Sequence, residues 1–110
     1  MSTLSSWRNE ESARIPVIVT YRVKAGNEAA FEALLKEHWP ALKDHGLVTD
    51  RPAALMRNQT DRQLYVEVFE WNDKDSVAGA PQLPPVQELW EKMRALCESG
   101  GIQPVHYDAV

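Results

Sequence analysis

The chain is predicted to be an α+β protein with a ferredoxin-like β-α-β-β-α-β order: a four-stranded antiparallel sheet carrying both main helices on one face. Three observations predict it. The first is Leu64 to Trp71, Leu-Tyr-Val-Glu-Val-Phe-Glu-Trp, which is rich in aromatic and β-branched residues and has neither Gly nor Pro. The second is a change of apolar period from 2 to 3.6 near Asn27 and again near Pro85. The third is the order in which these patterns follow one another, which is that of a split βαβ unit. In the Leu64–Trp71 strand, Tyr65, Glu67, Phe69 and Trp71 point one way, and Leu64, Val66, Val68 and Glu70 the other. Both sets are mostly apolar, so the strand needs cover on two sides. A chain of 110 residues supplies helices for one side only. A second copy is expected to cover the other, which makes the protein a homodimer.

Taken in order, residues 1–14 form a Ser-rich, charged arm with only Leu4 and Trp7 to bury. The remainder, residues 15–110, reads as one domain. Ile15 to Lys24 is a strand with Val17, Val19, Tyr21 and Val23 on one face. Ala25-Gly26 breaks it, and Asn27 suits the cap of a helix from Glu28 to His45. Phe31, Leu34, Leu35, His38, Leu42 and His45 share a face of that helix. Pro40 is expected to kink or break it, since proline removes a backbone donor, and Gly46 to end it. Pro52 to Asn58 is a short strand before the Leu64–Trp71 one. Asn72 to Asp75 opens a helical turn through Ala78, and Pro85 to Cys97 is the second long helix, burying Val86, Leu89, Trp90, Met93 and Leu96. Ser99-Gly100-Gly101 stops it, and Gln103 to Val110 reads as the last strand.

Composition narrows the function. A net charge of −4 without any basic run argues against nucleic acid or an anionic membrane as partner. No apolar run is long enough to span a bilayer, and residues 1–14 lack the apolar stretch of a signal peptide. The single cysteine, Cys97, excludes an internal disulfide and a thiolate zinc cluster, so the reducing cytoplasm is the expected location. The histidines at 38, 45 and 106 have no helical metal spacing. There is no glycine-rich phosphate loop and no Gly-x-Ser-x-Gly elbow.

A strand, Ala25-Gly-Asn-Glu28, a long amphipathic helix, and then Phe69-Glu-Trp-Asn-Asp73 running into another helix: this pattern resembles the antibiotic biosynthesis monooxygenase family. The resemblance spans roughly residues 16–110. It implies a dimeric α+β barrel, in which two sheets face each other with the helices outside and each monomer keeps a ligand cleft between helices and sheet. It also implies small-molecule chemistry: cofactor-independent oxygenation of quinol or polycyclic phenolic compounds, or degradation of haem. The haem-degrading pattern has an Asn on the first strand, a Trp ending the third and a His on the second helix. Trp71 matches, but Val19 stands at the Asn position and Gly79-Ala80-Pro81 where the His belongs. Haem binding of that kind is not expected, and no cofactor is.

With Trp71 toward the cleft, alternation places Tyr65, Glu67 and Phe69 beside it, and the first helix points His38 and His45 into the same space. Glu67 between aromatics is a candidate base, because burial raises a carboxyl pKa toward neutrality. Glu67 and His38 are therefore the candidate catalytic residues, with Tyr65, Phe69, Trp71, Trp39 and Trp90 as candidate substrate-binding residues. Each has a plainer alternative. Glu67 can pair with a neighbouring cation, His38 can be a hydrogen-bonded core residue, and His45 can face the helix dipole. Trp39 and Trp90 can simply pack, and Arg57 can be a solvated charge. The two function classes that remain are a cofactor-independent oxygenase and a non-catalytic barrel that binds a small apolar ligand or fills its cleft with its own side chains.

Overall fold

The computed structural model describes residues 13–110, so the arm expected at 1–14 lies, apart from Ala13 and Arg14, outside the described residues. From Ile15 onward come four strands and three α-helices: β1 (Ile15–Val23), α1 (Glu28–Asp44), β2 (Ala54–Arg57), β3 (Leu64–Trp71), α2 (Lys74–Gly79), α3 (Pro84–Ala95) and β4 (Cys97–His106), with a 3₁₀ turn over Ala80–Gln82 between α2 and α3. The sheet is antiparallel with the order β2-β3-β1-β4. This is the ferredoxin-like arrangement.

Alternation decides what is inside. Val17, Val19, Tyr21 and Val23 of β1 and Tyr65, Glu67, Phe69 and Trp71 of β3 are all buried on one side. Phe31, Leu35, His38 and Leu42 of α1 and Val86 and Met93 of α3 are buried too, their spacing making one stripe on each helix. On the other side of the sheet, Ile18, Val66 and Val68 are half-buried, while Met56 and Val105 are exposed.

The start of α1 differs from expectation in its cap, and of the kink or break expected at Pro40 the break does not occur. Asn27 precedes the helix but makes no side-chain cap; the Glu28 side chain instead accepts from the Gly26 N–H at 2.9 Å. Pro40 does not break α1, which continues to Asp44. Pro40 is exposed, so the Lys36 carbonyl that loses its partner lies on the solvent side, where water can serve it. The end follows the sequence: Gly46 adopts φ +69°, and its N–H and that of Leu47 bond to the carbonyls of Lys43 and Leu42.

The last strand also needs correction. β4 begins at Cys97, where the sequence suggested the helix end, and finishes at His106 rather than Val110. Ser99-Gly100-Gly101 is part of the strand. Tyr21 pairs with Ile102 but Val23 with Cys97, so β4 takes up extra residues in a bulge. Gly100 turns through φ +70°, and a Cβ on Gly101 would sit 2.8 Å from the Arg22 and Glu98 carbonyl oxygens. The two glycines serve the bulge, not a helix stop. At the other end, α2 is capped by the Asp73 side chain, which accepts from the Ser76 N–H at 2.8 Å.

Candidate functional site

Between the helices and the sheet lies a cleft of about 370 Å³. Val17 and Val19 of β1 and Phe69 and Trp71 of β3 form its floor, Trp90 and Met93 of α3 one wall, and Val77 and Pro81 close it from the α2 side. His38 reaches it from α1, while Arg94 and His106 are the exposed polar groups on its margin.

A chain of hydrogen bonds, partly buried at Trp90 and buried beyond it, runs through this wall. The Trp90 Nε1–H donates to His38 Nε2 at 2.8 Å. His38 Nδ1 lies 2.9 Å from both Glu67 oxygens. The Tyr21 hydroxyl donates to Glu67 Oε1 at 2.7 Å. An indole nitrogen can only donate, so His38 Nε2 must accept. An imidazole with one accepting nitrogen carries its hydrogen on the other; the Nδ1–H therefore donates to Glu67. The polarity of the chain, Trp90 to His38 to Glu67 with Tyr21 arriving from the far side, is thereby fixed from both ends. Register explains the second arm. Val19 pairs with Glu67 and Tyr21 with Tyr65, which makes Tyr21 a diagonal neighbour of Glu67, within reach of a long side chain. Burial, the charge on Glu67 and the hydrogen bond to it, in that order, push the Tyr21 phenol well above its ordinary range.

The candidate residues from the sequence take different places. His38, Phe69, Trp71 and Trp90 line the cleft. The Phe69 ring meets His38 edge-on at 5.8 Å and Trp71 at 5.2 Å. The Trp71 indole N–H is buried without a hydrogen-bond partner. Glu67 is 0% exposed and is not among the lining residues; it stands behind His38. Tyr65 is at the other end of β3. Its ring packs on Phe31 at 5.3 Å, its hydroxyl donates to Glu32 at 2.6 Å, and the Arg57 guanidinium lies over it. Desolvation and the bond to Glu32 push this phenol up to about 12. Trp39 is half-buried against the core, outside the cleft lining. His45 is exposed, donating from Nδ1 to the Ala41 carbonyl at the end of α1.

Tyr21, Arg94 and His106 are polar site residues that the sequence reading left out. Tyr21 sits in period with Val17 and Val19, so it passes for another apolar core position. His106 belongs to the helix-facing side of β4 through its pairing with Val17, a register that only the folded sheet reveals. Among the described residues, no group of three or more His, Cys, Asp or Glu is placed to hold a metal ion. Cys97 is buried, and that burial pushes its thiol up, against the pull of Lys24. No described helix is long and apolar enough to cross a membrane.

No protein-family model matches the chain, nor does any curated protein sequence. Solved structures do share its fold. SnoaB, a cofactor-independent oxygenase from Streptomyces nogalater, is 18% identical, with a TM-score of 0.76 over 90% of this chain and 95% of that one. A candidate antibiotic biosynthesis monooxygenase from Bordetella bronchiseptica is 24% identical, with a TM-score of 0.74 over 89% of this chain and 98% of that one. PA3566 from Pseudomonas aeruginosa is 14% identical, with a TM-score of 0.73 over 90% and 96%. The chain therefore has the α+β fold of the antibiotic biosynthesis monooxygenases, the group that its sequence resembles.

Proposed function

We propose that the protein is a cofactor-independent oxygenase acting on a small aromatic molecule of the phenol, quinol or anthrone type. The observation that carries this reading is the buried His38–Glu67 pair set in the wall of an aromatic-lined cleft. Glu67 holds the Nδ1–H and offsets the charge that His38 gains on taking a proton; His38 Nε2 is the base. Phe69, Trp71 and Trp90 hold the ring system in a water-poor space. For an anthrone, His38 takes the proton of the enol hydroxyl. The anion passes one electron to dioxygen, and the resulting carbon radical and superoxide join through a C–O bond. The peroxide takes back the proton from His38. Loss of the ring C–H proton and of the distal oxygen as hydroxide then releases water and leaves a carbonyl. One dioxygen is consumed, one of its atoms entering the product and the other leaving as water. The fold shared with SnoaB supports this class of chemistry.

The reading includes a homodimer, supported by the apolar side of the sheet that the described helices leave uncovered. A second reading, a non-catalytic barrel that binds a small apolar ligand, is favoured by one fact: Glu67, both His38 nitrogens and the Tyr21 hydroxyl already have partners within the protein.

Oxygen uptake with anthrone and a panel of phenols and quinols separates the two. The wild type is expected to consume oxygen with at least one of them. Glu67→Gln should reduce the rate by about a hundredfold or more. It should also cost about 1–3 kcal/mol in urea unfolding, because an amide NH₂ would oppose the Nδ1–H that the carboxylate accepts. No uptake by the wild type across the panel would leave the binding reading in its place.

A further inference from the structure

We infer that Trp90 is an exchangeable cap on His38: an aromatic ligand bearing a hydroxyl takes the place of the indole N–H on Nε2, so that the cleft selects ring hydroxyls over the corresponding ethers. The inference rests on the reading of the cleft as a site for aromatic hydroxyl compounds, but not on oxygen being consumed there.

Three features lead to it. The first is polarity. Glu67 pins the Nδ1–H, so the Nε2 of His38 presents a lone pair and nothing else. A ligand that bonds to it must donate. A phenol or quinol does so, whereas an ether or ketone oxygen finds no donor on His38. The second is the difference between the two partners. His38 is buried and tied to a residue that is 0% exposed, while Trp90 is half-buried and itself lines the cleft. Of the pair, the indole is the member able to leave. The third is bookkeeping of hydrogen bonds. Exchanging an N–H for an O–H donor leaves Nε2 with one partner, and a half-buried indole can turn its N–H to water, so no buried polar group is stranded. A ligand without a donor leaves the cap closed and gains apolar contact alone. Losing a single neutral hydrogen bond corresponds to about tenfold in affinity.

1-Naphthol and its methyl ether, 1-methoxynaphthalene, test this on the full chain under anaerobic conditions. Calorimetry reads the affinities, and the indole N–H resonance of Trp90 reads the cap. Naphthol is expected to bind about tenfold more tightly than the ether and to open that N–H to exchange with water, from which the ether leaves it protected. Trp90→Phe, which removes the cap, should strengthen naphthol binding and keep the preference. His38→Phe should abolish the preference while both compounds still bind; if that variant does not fold, the wild-type resonance decides. An indole N–H that stays protected from water with naphthol bound, or equal affinities for the two compounds, overturns the cap. An indole displaced by naphthol, with no oxygen uptake from any panel compound, supports the cap and removes the oxygenase. Failure of both compounds to bind ends both.

Discussion

Tyr21 shows how much depends on a single hydroxyl. It gives Glu67 its second donor from a strand 46 residues away, and the pair is sealed from solvent. Its phenol is raised from the ordinary value of 10.0, first by burial and then by Glu67. The fold therefore favours the neutral phenol. That contribution is complete below the ordinary value and is lost as pH rises above it, because the unfolded chain ionises first. The wild type should lose stability steeply above about pH 10, and Tyr21→Phe less steeply, since the variant has no phenol to hold neutral. At neutral pH the same variant should cost about 1 kcal/mol, because Glu67 keeps its bond from His38. Urea midpoints at about pH 8 and about pH 11 would check both; parallel losses in the two proteins would assign the alkaline sensitivity elsewhere, Tyr65 being the next candidate.

At the scale of elements, β4 shows where packing overrides local signals. Gly101 has no room for a side chain: a methyl there meets two backbone oxygens at 2.8 Å, and neither belongs to a flexible group that could yield. Gly101→Ala should therefore destabilise by about 1–3 kcal/mol, as overpacking does. Gly79→Ala, where nothing lies within 4 Å and φ is negative, should cost little or stabilise the end of α2. Thermal unfolding of the two variants side by side tests the contrast. The sequence made β1, α1 and β3 legible because each has a clear apolar period and a clear break. It made β4 illegible, because Gly100-Gly101 after a helix looks like a stop until the register with β1 is known. The cleft divides in the same way. Phe69 and Trp71 followed from alternation along one strand, and His38 from the stripe on α1. The cap by Trp90 and the bond from Tyr21 join residues 52 and 46 positions apart, and no periodicity carries that information.

For the whole molecule, the proposed dimer follows from a sheet of which the described helices cover one side. Ile18, Val66 and Val68 are half-buried, and Met56 and Val105 exposed, on the side away from α1 and α3. Two such faces in contact would bury on the order of 2,000 Å² in total, the size of a stable interface. Sedimentation equilibrium at low micromolar concentration should show a dimer, and Val66→Asp should release monomers by placing an unpaired charge in that contact. A wild type that sediments as a stable monomer would end the barrel reading. The cleft is built beside the protein's own fluorophores. Among the described residues two tryptophans line it, Trp71 in its floor and Trp90 in its wall, and the emission of each depends on what touches its ring and N–H. Filling the cleft therefore changes the colour and intensity of the protein's own light, and unlabelled protein can report which of many colourless compounds it accepts.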